Sequence, residues 1–207
     1  MTKHTEYNIP EMIDMVFDLD SGTLPSAYPV ALWAALLRHV PQLADERRIG
    51  MLPLRATESR EGVLLTKRTK LVLRLPKTQA GPIAACLTGC TVQQGDIHLR
   101  IGKSKSREIQ PYPTIHAQQV KGGSDEVLFM EDVRKQLGEL GVTAKLICGK
   151  RSTLKGEQLT THVYSLVAHD LKPEDSLQLQ YAGLGENRQY GCGIFIPYKV
   201  ISGLSED

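Results

Sequence analysis

The chain is poor in aromatic residues, in long apolar runs and in charge of one sign. Aromatic residues make up 5% of its 207 residues, and the paired stacking aromatics of an RRM signature are absent. No apolar run approaches the roughly 18 residues of a membrane-spanning helix, and the N-terminus lacks a signal-peptide core. We therefore expect a cytoplasmic protein with no membrane partner. The net charge of +2 is too small to indicate nucleic-acid binding by itself.

The four cysteines do not form a metal-binding pattern. Cys86 and Cys90 are four positions apart, while Cys148 and Cys192 stand alone. Zinc sites need closely spaced Cys or His pairs, and neither a Cys-x-x-Cys nor a His-x-x-x-His pair is present. We therefore predict reduced thiols packed in the core, and no cofactor.

The chain does contain a glycine-rich loop near its C-terminal end. Glycine adopts positive φ without strain and lets a backbone approach a ligand closely. Exposed N–H groups in such a loop can hold a phosphate. The polar insert between the two glycine pairs carries Arg188, which we expect to contact an RNA backbone. The four glycines, which we expect to bind RNA with it, are Gly183, Gly185, Gly191 and Gly193.

The spacing of this loop excludes the two common nucleotide-binding loops. A dinucleotide fingerprint needs a third glycine where Arg188 stands, and a strand rather than a helix before it. A P-loop needs Gly-x-x-x-x-Gly-Lys-Ser, but Gly102-Lys103-Ser104 has Ile97 at the position of the first glycine.

The order Gly-apolar-Gly, five residues, Gly-apolar-Gly resembles the glycine-rich loop of the CRISPR-associated repeat-RNA endoribonucleases, the Cas-six family. Members of this family cut precursor CRISPR RNA within each repeat. The stretches Tyr28–Pro41, Ala144–Thr153 and Glu174–Gln180 are similar to its myxobacterial-type branch, and the resemblance runs from about Met12 to Lys199. It implies an endoribonuclease that acts on CRISPR repeat RNA. The alternative is a non-catalytic RNA-binding subunit of a CRISPR effector complex.

The sequence predicts an α+β fold with two successive β-α-β-β-α-β passes. This order suits two tandem ferredoxin-like (RRM-like) domains, which we place at residues 1–106 and 107–207, with the glycine-rich loop in the second. The family resemblance supports the same fold. Within the first domain we predict a helix over Ser26–Leu43 and one strand over Val63–Leu75.

RNA can be cut without a metal when the 2′-hydroxyl attacks the adjacent phosphate. The products are a 2′,3′-cyclic phosphate and a 5′-hydroxyl, and a positioned histidine assists the proton transfers. His39 stands at the border of the apolar stripe of the first helix, shortly before Pro41. By spacing alone it could be a structural histidine. In the family, a histidine on or just after this helix is commonly catalytic, so the resemblance implies this role for His39.

Five other histidines compete with His39. We expect His116 to be a half-buried strand residue and keep it as the first reserve. His98, His162 and His169 are expected in strands, and His4 lies in the N-terminal segment.

Several basic pairs could stabilise or bind phosphates. Lys67 and Arg68 are predicted to contact RNA, and Arg47 with Arg48 is an equal candidate for the cations at the cut. The resemblance implies that Lys150 and Arg151 belong to the RNA-binding surface.

Asp18 and Asp20 could instead hold a divalent metal for hydrolysis. The turn that follows them favours a structural role, because Asp is common in turns.

Overall fold

The computed structural model describes residues 9–156 and 158–198; His4 and the positions after Tyr198 lie outside them. The first half contains, in order, β1 (Met12–Leu19), β2 (Gly22–Leu24), α1 (Tyr28–His39), β3 (Gly50–Met51), β4 (Thr57–Ser59), β5 (Gly62–Leu65), β6 (Lys70–Pro76), α2 (Lys77–Leu87), β7 (Thr91–Gln94) and β8 (Ile97–Glu108). The second half contains β9 (Ile115–Gly122), α3 (Glu126–Leu140), β10 (Lys145–Gly156), β11 (Leu159–His169), α4 (Pro173–Ala182) and β12 (Phe195–Pro197).

Two antiparallel sheets repeat one topology. The first has the strand order β3-β6-β1-β8-β7, and the second has the order β10-β11-β9-β12. In the first sheet, β7 lies at the edge as a hairpin with β8 and is not one of the four strands of the β-α-β-β-α-β unit. In both sheets, the four strands of the unit lie side by side in the same order: second, third, first and fourth along the chain. The predicted pair of ferredoxin-like folds is confirmed. The boundary at residue 106 stays a prediction, and β8 continues to Glu108.

The two faces of the first sheet carry different side chains: one faces the apolar core, and the other carries the buried charge of Asp14. Alternate residues of a strand point to opposite faces, and Ile13, Met15 and Phe17 of β1 join the core beneath α1 and α2. Asp14 and Val16 therefore lie on the other face. The second unit has its own core, formed between its sheet and α3 and α4.

Two predicted elements of the first domain are shorter than expected. The helix ends at His39 rather than Leu43, because Pro41 cannot continue it, and a short 3-10 helix follows over Pro41–Ala44. The single strand predicted over Val63–Leu75 was wrong. A turn at Thr66–Thr69, in which the Thr69 hydroxyl accepts a hydrogen bond from the Thr66 N–H at 3.0 Å, divides it into β5 and β6. β5 pairs with β2 and β4 in a small third sheet, whereas β6 belongs to the first sheet.

The cysteines only partly follow the prediction of core packing. Cys192 is buried, where burial raises its pKa to about 12. Cys86 is exposed, so the prediction was wrong for that thiol. Among the described helices, none has the length and apolar character needed to cross a membrane.

A buried ion pair connects the two ferredoxin-like units. On β6, Arg74 is 1% exposed and binds Asp14 of β1 through Nε at 2.8 Å and Nη2 at 3.2 Å. Its remaining nitrogen, Nη1, donates to two carbonyls of the second unit, those of Phe195 at 2.5 Å and Gln180 at 3.3 Å. One guanidinium thus satisfies a carboxylate in one unit and backbone groups in the other.

Arg107 completes the charge balance at Asp14. Its Nη2 donates to Oδ2 of Asp14 at 2.9 Å. Burial by itself would raise the pKa of Asp14, but the charges and hydrogen bonds of Arg74 and Arg107 lower it below the ordinary value. The carboxylate is therefore held in its ionised form.

Replacing Arg74 by methionine should strongly destabilise the protein. The substitution leaves Asp14 buried with only Arg107 as a partner and removes the donor to Gln180 and Phe195. Breaking a buried pair from one side costs about 3–5 kcal/mol, which urea unfolding followed by circular dichroism would measure. The control is Lys77→Met, which removes exposed ion pairs with Glu11 and Glu108 and should leave the midpoint nearly unchanged. Equal effects of the two substitutions would contradict the role given to Arg74.

Candidate functional site

The glycine-rich loop connects α4 to β12, as the sequence predicts. All four glycines have positive φ, between +65° and +93°, which confirms the expected backbone conformation. A side chain at these positions would be strained regardless of the space around it.

These glycines allow the loop backbone to lie close to other atoms of the protein. A Cβ atom at Gly193 would lie 1.8 Å from the carbonyl oxygen of Leu184, and one at Gly183 would lie 2.6 Å from the carbonyl oxygen of Gly193. At Gly185 nothing comes nearer than 3.9 Å. Packing thus requires glycine at positions 183 and 193, and a Cβ atom at Gly191 would lie tightly against Pro53 Cγ at 3.0 Å.

Much of the loop backbone is already hydrogen-bonded within the protein. The Gly193 N–H donates to the Gln119 carbonyl at 2.7 Å, and the Gly185 N–H donates to the Gln136 side chain at 2.8 Å. Four further loop N–H groups bond internally: Leu184, Tyr190, Gly191 and Cys192. The loop is thus a packed structural element in the free protein, and its contact with RNA stays a prediction.

The loop lies between the two ferredoxin-like units. Within it, Arg188–Tyr190 form a short 3-10 helix that contacts both α1 and β3. At Gly50 in β3, a Cβ atom would meet the Arg188 carbonyl at 3.0 Å. The loop therefore links the last helix of the second unit to the first helix of the first.

Arg188 lies inside the protein rather than on its surface. Its side chain is buried, with 4% of the residue exposed, and Nη1 donates to the carbonyls of Tyr181 and Ala182 at the end of α4. Burial, followed by the charges of Arg74 and Arg48, lowers the pKa of Arg188 to about 9. In this conformation Arg188 caps a helix inside the protein, and its expected contact with an RNA backbone stays a prediction.

His39 is the last residue of α1 and is exposed. Its neighbours Leu36 and Val40 are buried in the first core, so the backbone beneath the imidazole is held firmly while the ring itself faces solvent. This is the border position that the helical spacing predicts. Because α1 covers the core face of the first sheet, His39 lies on that side of the sheet.

His116, the reserve histidine, is half-buried on β9, as expected. Its ring meets that of Tyr198 edge to face, with the centroids 5.3 Å apart. Burial and then the charge of Arg55 lower the pKa of His116 below its ordinary value, which favours the neutral imidazole.

A cationic groove of about 480 Å³ lies on the other face of the first sheet. Asp14 and Arg74 form part of its floor, and Ile196, Pro197 and Tyr112 of the second half form one wall. The cations that line it are Arg55, Arg68, Lys70, Arg74 and Arg107. His39 is separated from this groove by the thickness of the sheet.

The sequence interpretation missed most of this groove. Lys103-Ser-Lys105-Ser-Arg107 was visible as a basic cluster, and its alternation would place the three cations on one face of a strand. The register bears this out for two of them, since Lys105 lies opposite Val16 and Arg107 opposite Asp14. Arg55 had no local signal, because its position depends on the path of the chain between β3 and β4.

The predicted cation pairs lie at different places. Lys67 and Arg68 are exposed in the turn before β6, and Arg68 lines the groove. Lys150 and Arg151 are exposed at a register shift in β10. There Arg151 Nη1 donates to the Ser124 carbonyl at 2.6 Å, so part of its guanidinium supports the start of α3.

Arg47 and Arg48 follow α1 and lie on the segment that leads to β3. Arg48 is close enough to Arg188 to lower the pKa of that side chain, and Arg47 lowers the pKa of Glu186 in the glycine-rich loop, after the stronger effect of Lys121. These two cations therefore lie near the glycine-rich loop.

Of the two carboxylates proposed as metal ligands, Asp18 has another partner. Asp18 forms a salt bridge with Lys70 at 2.8 Å, and that hydrogen bond lowers the pKa of Asp18. In the part of the chain that the structure describes, no three His, Cys, Asp or Glu side chains converge as metal ligands.

Comparison with known proteins agrees with this architecture. The family model described as Cas6 Crispr matches residues 13–200. The chain belongs to the Cas6 family. It is 29% identical to the CRISPR-associated endonuclease Cas6 of Myxococcus xanthus (strain DK1622) over 192 residues, which cover 92% of this chain and 83% of the relative.

Solved structures share the fold of this Cas6-family chain. The Cas6-related protein of Pyrococcus furiosus superposes with a TM-score of 0.69 at 12% identity, over 93% of this chain and all of the other. Thermus thermophilus Cse3, bound to an RNA that represents a pre-cleavage complex, superposes with a TM-score of 0.55 at 13% identity, over 90% and 98% of the two chains. Because the sequence identities to both structures are low, the structural similarity establishes the shared fold and nothing further.

Two glycines of the loop should differ in their tolerance of alanine. Gly185→Ala places a Cβ at ordinary contact distance, with nothing nearer than 3.9 Å, and costs only the strain of positive φ, about 1–2 kcal/mol. Gly193→Ala adds a backbone collision with Leu184 and should destabilise the protein substantially more. Thermal unfolding of the two variants and the wild type would measure the difference. Equal losses would show that the loop does not pack as described.

Proposed function

We propose that this Cas6-family chain is an endoribonuclease that cuts precursor CRISPR RNA within its repeats to release guide RNAs. The observation that supports it most is His39, an exposed imidazole on a rigid helix end, in a chain whose Myxococcus relative is a CRISPR-associated endonuclease. The cationic groove adds a surface for the RNA backbone.

In the proposed reaction the RNA supplies its own nucleophile. The 2′-oxygen before the scissile phosphate loses its proton and forms a bond to phosphorus, and the bond from phosphorus to the 5′-oxygen breaks. The 5′-oxygen takes up a proton. The products are a 2′,3′-cyclic phosphate and a 5′-hydroxyl, and the balance requires no metal.

His39 would exchange one of these protons. A positioned histidine contributes about 10²–10⁴-fold to such a step. Of the cation pairs left open by the sequence, Arg47 and Arg48 suit the developing phosphate charge better, because they follow the end of α1 closely in the chain. Arg68 faces the groove on the opposite side of the first sheet.

The groove would bind RNA away from the cut. It presents arginines that can contact phosphate oxygens in pairs, and Tyr112 at 43% exposure offers an aromatic face. RNA that reached both the groove and His39 would pass around an edge of the first sheet. Lys150 and Arg151 would extend the basic surface on the second unit. Assembly with other subunits of an effector complex, in the cytoplasm, remains an expectation.

Replacing His39 by alanine should abolish most cleavage without loss of binding. We expect the rate of repeat-RNA cleavage in EDTA to fall by about 10²–10⁴-fold, measured on gels with RNA from the array of the source genome. The matched control is His98→Ala, which removes an exposed histidine from β8 and should cleave at the wild-type rate. A 2′-deoxy residue before the scissile phosphate should block the wild type.

Other outcomes of this experiment have definite meanings. Wild-type binding without cleavage would favour the non-catalytic subunit. Cleavage that persists in His39→Ala would move the catalytic role to His116, and cleavage that EDTA prevents would contradict the metal-independent reaction.

Removing Lys67 and Arg68 together should weaken RNA binding mainly through electrostatics. Each lost phosphate contact on a single strand reduces the slope of log K against log salt by about 0.7. The double alanine variant should therefore lose up to about 1.4 of this slope, measured by fluorescence anisotropy across salt concentrations. The control pair is Arg134→Ala with Lys135→Ala on the exposed side of α3. An unchanged slope would exclude these residues from the RNA path.

A further inference from the structure

The segment between β3 and β4 carries an arginine of the cationic groove outside any regular structure. Residues 52–56 belong to no helix or strand, and Arg55 among them lines the groove. The segment begins beside β6, where the Leu52 N–H donates to a carbonyl of that strand at 2.9 Å. The next backbone donor is that of Leu54, because Pro53 has no N–H group. The conformation next to Arg55 therefore depends on the partner that the Leu54 N–H finds.

That partner is the phenol of Tyr28. The Leu54 N–H donates to the Tyr28 hydroxyl at 2.9 Å, and Tyr28 is the buried first residue of α1. Burial raises the pKa of Tyr28 above its ordinary value, so the phenol stays protonated and neutral. The hydrogen bond thus ties the segment to the helix whose other end carries His39.

The side chains around this hydrogen bond alternate between the core and the groove. Leu54 and Ala56 are partly buried and pack against the first core. Arg55, between them, is exposed and lines the groove. Alternation of this kind places successive side chains on opposite sides of the chain. A rotation of the backbone at Leu54 would therefore turn the Arg55 guanidinium away from the groove.

The position of Tyr28 does not favour a direct part in the chemistry. Its hydroxyl is engaged with the backbone, and 8% of the residue is exposed. With a rise of about 1.5 Å per residue, the Cα atoms of Tyr28 and His39 lie about 16 Å apart along α1. This separation does not favour joint contact of the two side chains with one scissile phosphate.

We propose that Tyr28 is a positioning residue, whose hydroxyl holds residues 52–56 in the conformation that presents Arg55 to RNA. The inference rests on the proposed function for the ligand of the groove, which is a phosphodiester of RNA contacted by the Arg55 guanidinium. Tyr28 itself does not touch the RNA and acts through the backbone of Leu54.

The place of Arg55 can be tested in the free protein. Its charge lowers the pKa of His116, after the larger effect of burial. Tyr28→Phe removes only the hydroxyl, and the pKa of His116 should rise if Arg55 then moves away. Arg55→Ala should raise it as well, and NMR titration of the His116 ring would measure both. The matched control is Tyr164→Phe, which removes a buried phenol that donates to the Gly123 carbonyl at 3.0 Å. It should leave the pKa of His116 unchanged.

The consequence for RNA should appear in binding and not in the saturated rate. The probe is the repeat RNA with 2′-O-methyl groups throughout, which cannot be cut by 2′-hydroxyl attack. Tyr28→Phe and Arg55→Ala should each reduce the salt slope by up to about 0.7, and the double variant should lose no more than Arg55→Ala alone. With unmodified RNA, Tyr28→Phe should raise the half-saturating protein concentration and keep the wild-type single-turnover rate at saturation. Tyr164→Phe should match the wild type in each measurement.

Three results would overturn the proposal. The first is a change of the His116 pKa and the salt slope in Arg55→Ala but of neither in Tyr28→Phe, because the hydroxyl then does not hold Arg55 in place. The second is an unchanged salt slope in Arg55→Ala, which would exclude Arg55 from the RNA path. The third is a saturated cleavage rate that falls by about 10²-fold or more in Tyr28→Phe, which would make Tyr28 catalytic.

A measurement on the wild type keeps the proposal testable if Tyr28→Phe fails to fold. The hydrogen bond to Tyr28 should slow the exchange of the Leu54 N–H with deuterated solvent well below the rate of an unbonded amide. Exchange at the unbonded rate would contradict the proposal. If the variants behave as expected but unmodified RNA is not cut by the wild type, the positioning role stands and the endonuclease proposal fails.

Discussion

The arrangement of this protein depends on one guanidinium. Arg74 is held on the central part of the first sheet, where it neutralises Asp14 and at the same time donates to Gln180 and Phe195 in the second unit. A buried charge must be paired and hydrogen-bonded to be tolerated, and Arg74 meets this requirement only when both units are in place. Two small folds with separate cores are thereby given one mutual orientation.

This orientation gives the glycine-rich loop its function in the fold. The loop leaves the end of α4, next to the carbonyls that Arg74 and Arg188 bind, and passes between β3 and β9. Gly183 and Gly193 are needed because two stretches of backbone meet there without room for a Cβ. A motif that looks from the sequence like a ligand cradle is thus, in the free protein, a joint between domains.

The same geometry divides the proposed activity between two faces of the first sheet. His39 ends the helix that covers one face, and the cationic groove occupies the other. Separation of this kind lets binding energy come from phosphates that do not react, while the imidazole acts on a single bond. On the groove face, the fold brings together basic residues that are distant in sequence, such as Arg55 and Arg107.

The sequence by itself determined the order of the elements, the family, and the border position of His39. Periodicity, helix-ending residues and glycine spacing are local signals, and they specify local structure well. Only the tertiary structure decided that Arg188 is buried, that Val63–Leu75 is two strands in different sheets, and that cations from four segments line one groove. Those outcomes depend on which surfaces pack together and on whether a buried charge finds a partner, and neither is encoded in the spacing of neighbouring residues.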